Sequence, residues 1–216
     1  MSINLYIVRH GESVHNSYLR RKKEAEKAGL EFAEKIAVLD VPLTEKGIEE
    51  AVKAAEAIKE YKIDKIYSSP FVRTKETAEH MLKVLDNNIS IEENPLLREY
   101  SRGNLNLLDP EEINALLGHD VQDREHKLLY DYTEHGGESH TDVKKRAAQF
   151  LKIVIDNPES DVLVVTSAGF IKSMYQVLFN DMLPGIHFNI YAKNGSIHHM
   201  KLDREFVEER IKDYLQ

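Results

Sequence analysis

Apolar residues along the chain follow two alternating periods. Short aliphatic and β-branched runs at 4–8, 65–68 and 161–166 predict strands. Within the last of these, Val162-Leu163-Val164-Val165 is apolar at every position, the pattern of a strand buried on both faces. A C-terminal pair of strands is expected near 187–192 and 196–202. Between strands the spacing lengthens: Ile48, Ala51, Val52, Ala55 and Ile58 recur at helical intervals within 44–61. Ser69-Pro70 predicts a helix running to about Leu85, with Ser69 as cap and Pro70 at the first helical position. Asp109-Pro110-Glu111-Glu112 opens in the same way, with Glu112 where a capping box wants it. Ser139 begins another helix, which ends before Asn157-Pro158. Strands alternating with helices predict an α/β fold, a three-layer α/β/α sandwich with a mostly parallel central sheet.

Two stretches fit that core poorly. Residues 17–40 carry Arg20-Arg21-Lys22-Lys23 and then an alternation of Glu and Lys. They read either as a solvated helix surface with i,i+4 pairs or as a basic cap over an anionic substrate. The polar stretch 101–136, with one short helix, reads as an insertion over the sheet edge. With no repeat and no low-complexity linker, residues 1–216 are expected to form a single domain with insertions near 17–40 and 101–136.

Composition narrows the function classes. The 216 residues are 42% hydrophobic, consistent with one α/β domain. Acidic side chains outnumber basic ones, 37 to 29, for a formal charge of −8, which argues against a nucleic-acid partner. Without cysteine there is no disulfide, thiolate nucleophile or cysteine-ligated zinc. The first residues lack a signal-peptide pattern, and no apolar run approaches the roughly 18 residues of a spanning helix. The expectation is a cytoplasmic protein without a membrane partner; its C-terminal strands offer an edge for a homodimer.

The chemistry concentrates in Leu5-Tyr6-Ile7-Val8-Arg9-His10-Gly11-Glu12. A strand that stops at Arg-His-Gly delivers an imidazole and a guanidinium to a strand end, where open α/β sheets bind ligands. Arg9 offers a planar fork of donors for phosphate oxygens, and Gly11 allows close backbone approach. Asn16 can donate its amide to the same anion. Arg73 falls in the first turn of a helix just after a strand, where the dipole also favours anions. Together they predict a phosphate site with His10 aimed at phosphorus.

Several ordered motifs then resemble the histidine phosphatase superfamily, the phosphoglycerate-mutase-like enzymes. They are Arg9-His10-Gly11-Glu12-Ser13 with Asn16, Pro42-Leu43-Thr44 with Gly47, and Ser68-Ser69-Pro70 with Arg73-Thr74 and Thr77-Ala78. Leu97-Arg98-Glu99 with Gly103-Asn104-Leu105, and Gly137-Glu138-Ser139, continue the series. The resemblance runs from Ile3 to about Ile197. It implies that His10 takes the phosphoryl group as a phosphohistidine, that Arg9, Asn16 and Arg73 clamp the phosphoryl oxygens, and that Glu99 protonates the leaving alkoxide and then activates water. For Glu138 the expected role is structural.

One position departs from the family, which carries a second histidine after the late buried strand. Here the segment reads Val165-Thr166-Ser167-Ala168-Gly169, so Ser167 stands where the imidazole is expected, as a shorter and neutral phosphate-binding residue. Of the candidate histidines His119, His126, His135, His140, His187, His198 and His199, His140 is the best replacement, although an exposed helix-start role suits it better. Adjacent His198 and His199 on a strand should face opposite ways and make a poor metal pair. A metal-free, cofactor-free phosphatase acting on a small phosphorylated substrate is the leading expectation. The alternatives are a pseudophosphatase that binds a phosphorylated ligand and, weaker because the chain has no tryptophan, a phosphoglycerate mutase.

Overall fold

Five strands form the central sheet of the computed structural model, which describes residues 2–32, 40–85, 88–108, 110–118, 131–179 and 190–216. They are β1 (Ser2–Arg9), β2 (Lys65–Ser68), β3 (Ile91–Glu93), β4 (Asp161–Thr166) and β5 (Ile197–Asp203), in the spatial order β3-β2-β4-β1-β5. Neighbours pair in parallel except β5, which runs antiparallel to β1. The described helices are α1 (Val14–Lys27), α2 (Glu45–Ile58), α3 (Val72–Leu85), α4 (Pro110–Leu117), α5 (His140–Asp156), α6 (Ala168–Phe179) and α7 (Arg204–Ile211). The expected α/β sandwich, with a mostly parallel sheet between helices, is what forms.

Side-chain alternation on the strands builds two cores. Ile3, Leu5, Ile7, Val162 and Val164 face α5, α6 and α7 through Phe150, Leu151, Phe170 and Val207. Tyr6, Val8, Ile66, Leu163 and Val165 face α2 and α3 through Ala51, Ala55, Ala78 and Met81. Each fully buried aliphatic or aromatic side chain contributes about 1.5–3 kcal/mol. A slip of one residue would exchange the two faces, so these cores lock the register. That register aligns Arg9 with Thr166 and Ser68 with Val165, which brings the carboxyl ends of β1, β2 and β4 to one edge.

Several expectations change. The helix expected from Ser69-Pro70 starts at Val72, because the Asp40 carboxylate accepts the Val72 N–H at 2.6 Å and takes the capping role. A strand over 187–192 is not found at 190–192, and 187–189 lie outside the described residues, as do the capping residue Asp109 and the histidines His119, His126 and His187. Strand β3 and helix α7 were not anticipated. Three residues of β3 carry too little alternation to register, and α7 has only Val207 and Ile211 buried. In the basic stretch, α1 buries only Tyr18. Two of its cations are engaged within the fold: Arg20 with Glu12 at 3.2 Å and Lys22 with Glu111 of α4 at 3.0 Å. Among the described residues no helix is long and apolar enough to cross a membrane.

Candidate active site

His10 leaves the sheet where β1 ends, its N–H held by Thr166 O of β4 at 3.0 Å. The ring is buried, 4% exposed. Its Nδ1 lies 2.8 Å from Gly11 O. A carbonyl can only accept, so Nδ1 carries the proton and Nε2 keeps its lone pair. The Arg73 Nε–H donates to that Nε2 at 3.2 Å. Burial first, then the Arg73 and Arg9 guanidinium charges, hold the His10 pKa well below its ordinary 6.5, against the Gly11 hydrogen bond. The imidazole is therefore neutral and nucleophilic at neutral pH.

The loop after His10 depends on a close backbone crossing. A Cβ on Gly11 would stand 2.1 Å from Gly47 O, and one on Gly47 would stand 2.1 Å from Glu12 O; only glycine at both positions lets the start of α2 reach the loop. Gly11 N–H donates to Thr77 Oγ1 of α3 at 3.1 Å. Below it, buried Glu12 meets Arg20 and Lys46 at 3.2 and 3.0 Å. Desolvation works to raise the Glu12 pKa, but these two cations outweigh it and lower it.

Asn16 sits in the first turn of α1, where Ser13 and Asn16 form a capping box. Its Oδ1 also accepts from Asn194 Nδ2 at 3.0 Å. With the oxygen engaged, the amide NH₂ is the end that can donate to a ligand. The same Asn194 NH₂ group reaches His10 O at 3.0 Å and Gly11 O at 3.2 Å. Asn194 thus joins the His10 backbone, the Gly11 carbonyl that fixes the ring's tautomer, and Asn16. Sequence reasoning missed it. The available signal was the turn dipeptide Asn194-Gly195, with Gly195 at φ +67°.

Arg9 and Arg73 flank the imidazole. Arg9 Nη1 donates to Ala192 O at 2.7 Å, and its buried Nε has no hydrogen-bond partner. Burial lowers the pKa of both guanidinium groups, and Glu99 is the largest opposing charge on each. One carboxylate therefore lies within electrostatic reach of both guanidinium groups.

Glu99 is held tightly. Its Oε1 accepts from Tyr100 N at 3.0 Å and its Oε2 from Gly169 N, in the first turn of α6, at 3.1 Å. A Cβ on Gly169 would stand 2.2 Å from Glu99 Oε1, so glycine is required there. The segment carrying Glu99 is clamped by Arg146 of α5. That guanidinium donates to Leu96 O, to Arg98 O at 3.2 Å, and through Nε and Nη2 to Glu138 at 2.6 and 3.0 Å. Glu138 in turn accepts from Ser101 N at 2.9 Å. The structural role expected of Glu138 takes this form.

Ser167 directly follows β4 and is 1% exposed. Its carbonyl accepts the Ile171 N–H at 3.1 Å, while its Oγ has no hydrogen-bond partner; the same holds for buried Ser69 Oγ at the neighbouring end of β2. Buried polar atoms without partners are rare, and three of them, on Arg9, Ser69 and Ser167, occupy adjoining strand ends. His140 is not among the groups at this edge. Its ring meets Gln176, two turns into α6, so it does not replace the missing imidazole. His198 contacts Tyr175 and Ser196 on one face of β5, whereas His199 stacks on Tyr6 on the other. Among the described residues no three His, Asp or Glu side chains gather as a metal site.

Comparison with known proteins gives a consistent result. The sequence pattern of the histidine phosphatase superfamily (branch 1) matches residues 5–211. The protein named "probable phosphoglycerate mutase GpmB" from Erwinia tasmaniensis is 27% identical over 171 residues, 77% of this chain and 70% of that one. A crystal structure of phosphoglycerate mutase from Bacillus anthracis superposes with TM-score 0.71 at 20% identity, covering 97% of this chain and 96% of that one. A mycobacterial glucosyl-3-phosphoglycerate phosphatase superposes with TM-score 0.62 at 25% identity, covering 85% and 82%.

Proposed function

Because this chain belongs to the histidine phosphatase superfamily (branch 1), we propose that it hydrolyses small phosphate monoesters through a phosphohistidine on His10, without a metal. The observation that carries this reading is the state of His10: buried, neutral, protonated on Nδ1, with Nε2 accepting from the Arg73 Nε–H and the Arg9 charge also weighing on the ring.

The chemistry follows from that arrangement. The Nε2 lone pair attacks phosphorus and the ester P–O bond breaks. Arg73 Nε–H binds the same lone pair, so attack requires that N–H to pass to a phosphoryl oxygen. The clamp thereby engages the oxygens as negative charge develops on them, which is where electrostatic stabilisation counts most. Arg9 Nε, the Asn16 amide and the Ser167 hydroxyl supply further donors. Glu99 gives a proton to the leaving alkoxide. It then takes one from water, which attacks the phosphohistidine and releases inorganic phosphate. Relatives bearing phosphatase and mutase names share the family; hydrolysis is preferred here because the chain has no tryptophan, which the family resemblance leads one to expect of a mutase.

Ser167 sets the expected rate. Loss of one oxyanion donor costs about 10²–10³ in turnover, so activity should be low but dependent on His10. The test is hydrolysis of a generic aryl phosphate by the parent, His10→Ala and Ser167→His. Activity abolished by His10→Ala and raised about 10²-fold or more by Ser167→His is the expected result. No turnover by the parent, with measurable phosphate-ester binding, would instead identify a pseudophosphatase.

A further inference from the structure

The carbonyl that fixes the His10 tautomer belongs to a peptide held at both ends. Gly11 O takes the Nδ1 proton of His10 at 2.8 Å and also accepts from Asn194 Nδ2 at 3.2 Å. At the other end of the same peptide, Glu12 N donates to Glu50 Oε2 of α2 at 2.7 Å. The preceding peptide is held in the same way. His10 O accepts from Asn194 Nδ2 at 3.0 Å, and Gly11 N donates to Thr77 Oγ1 of α3 at 3.1 Å. One side-chain amide thus reaches both carbonyls of the nucleophile's loop.

The orientation of that amide is forced. His10 O and Gly11 O can only accept, so the group facing them is the NH₂ of Asn194 and not its oxygen. Its third neighbour, at 3.0 Å, is then the oxygen of Asn16, which Ser13 also reaches through its N–H at 3.3 Å. The turn carrying Asn194 is itself fixed. Gly195, at φ +67°, donates its N–H to Arg9 O at 3.0 Å, and Ser196 O accepts the Arg9 N–H at 3.1 Å. A Cβ on Gly195 would stand 2.8 Å from Glu50 Cβ. The turn therefore rests on the residue that holds the far end of the Gly11–Glu12 peptide.

We propose that Asn194 is a positioning residue for the nucleophile: its NH₂ group aims the Gly11 carbonyl at Nδ1 and so keeps His10 in the one tautomer whose Nε2 is free to attack. For its effect on rate, the inference rests on the phosphohydrolase reading. As Nε2 bonds to phosphorus, positive charge builds on the ring and the Nδ1–H bond to Gly11 O strengthens. A carbonyl already aimed needs no reorganisation at that moment. Without Asn194 the peptide loses the donor that sets its tilt, and the tautomer protonated on Nε2, which cannot attack, becomes accessible.

The test uses Asn194→Ala, with Asn194→Ser as a second variant that removes the same NH₂ group but keeps a residue common in turns. Spectra of ¹⁵N-histidine protein, taken where the ring is neutral, read the tautomer; the His10 signals are those lost in His10→Asn. The parent should show a protonated Nδ1 and a bare Nε2, and both variants should show the two nitrogens averaged toward one another. Hydrolysis of an aryl phosphate should lose about 10²-fold in kcat, as for other small misplacements of a reacting group. KM should stay close to that of the parent, because Ser13 still holds Asn16. A mixed tautomer in the parent, or a His10 that stays wholly Nδ1-protonated in either variant, overturns the proposal; any fall in kcat would then be structural. Parent-like kcat despite mixed tautomers overturns it as well. Should the parent hydrolyse no aryl phosphate, the phosphohydrolase reading fails by itself, and the spectra alone still decide whether Asn194 sets the tautomer.

Discussion

At His10 a single carbonyl decides the chemistry. Gly11 O takes the Nδ1 proton, and burial with two neighbouring cations keeps a second proton off Nε2. The rate should therefore show no imidazole titration at the ordinary value of 6.5. A kcat/KM profile with its acid limb centred there would contradict this state of the nucleophile. Stability responds to the same shift. The unfolded chain takes up a proton near 6.5 that the folded chain refuses. The stability contributed by neutral His10 is thus complete above that value and is lost as pH falls from it to the lower folded value. A His10→Asn variant should lose this acid-dependent component in denaturant titrations. Arg9, His10, Asn16, Arg73 and Glu99 could all be singled out from local sequence, because strand ends, helix starts and a known motif order mark them. Asn194 could not, since an asparagine in a turn gives no sign of the three oxygens it will meet.

Among the elements, the first turn of α6 and the segment around Glu99 form one unit. Gly169 donates its N–H to Glu99 and leaves room for the carboxylate, while Arg146 and Glu138 hold the segment from the far side. Gly169→Ala removes that room without harming helix propensity, where alanine is the better residue. It should lower kcat about 10²-fold, because a small misplacement of the proposed acid–base group is enough to do so, with any fall in the thermal midpoint set by how far Glu99 and the Tyr100 ring must shift. Parent-like kcat with Gly169→Ala would show that Glu99 need not sit where it does. Local rules also misplaced the start of α3. Ser69-Pro70 is a sound capping signal, but Asp40, distant in sequence, supplied the cap and left the Ser69 hydroxyl without a partner.

Over the whole molecule, the sheet brings partnerless donors from β1, β2 and β4 to one edge. Their desolvation is uncompensated within the chain, so an oxyanion that satisfies them should stabilise the fold. Inorganic phosphate at about 100 times its dissociation constant should add about 2.7 kcal/mol, read as a higher thermal midpoint. Arg73→Ala should abolish most of the gain; an equal rise in that variant would place the binding elsewhere. The formal charge of −8 makes such a site a local exception: it is built by burying arginines beside the nucleophile, not by a basic surface.

By itself the sequence determined the alternation of strands and helices, the two-sided burial of β4, and the motif order that marks the family. These are properties of neighbouring residues and of period, and they survive without three-dimensional contact. Tertiary contacts alone tie Asn194 to His10, Gly11 and Asn16, pair Arg20 with Glu12, and turn His140 to Gln176. Each of these depends on groups brought together by the sheet order β3-β2-β4-β1-β5 or by helix packing. Hydrogen bonds and ion pairs of that kind are set by distances of a few ångströms across the fold, and separation along the chain carries no record of them.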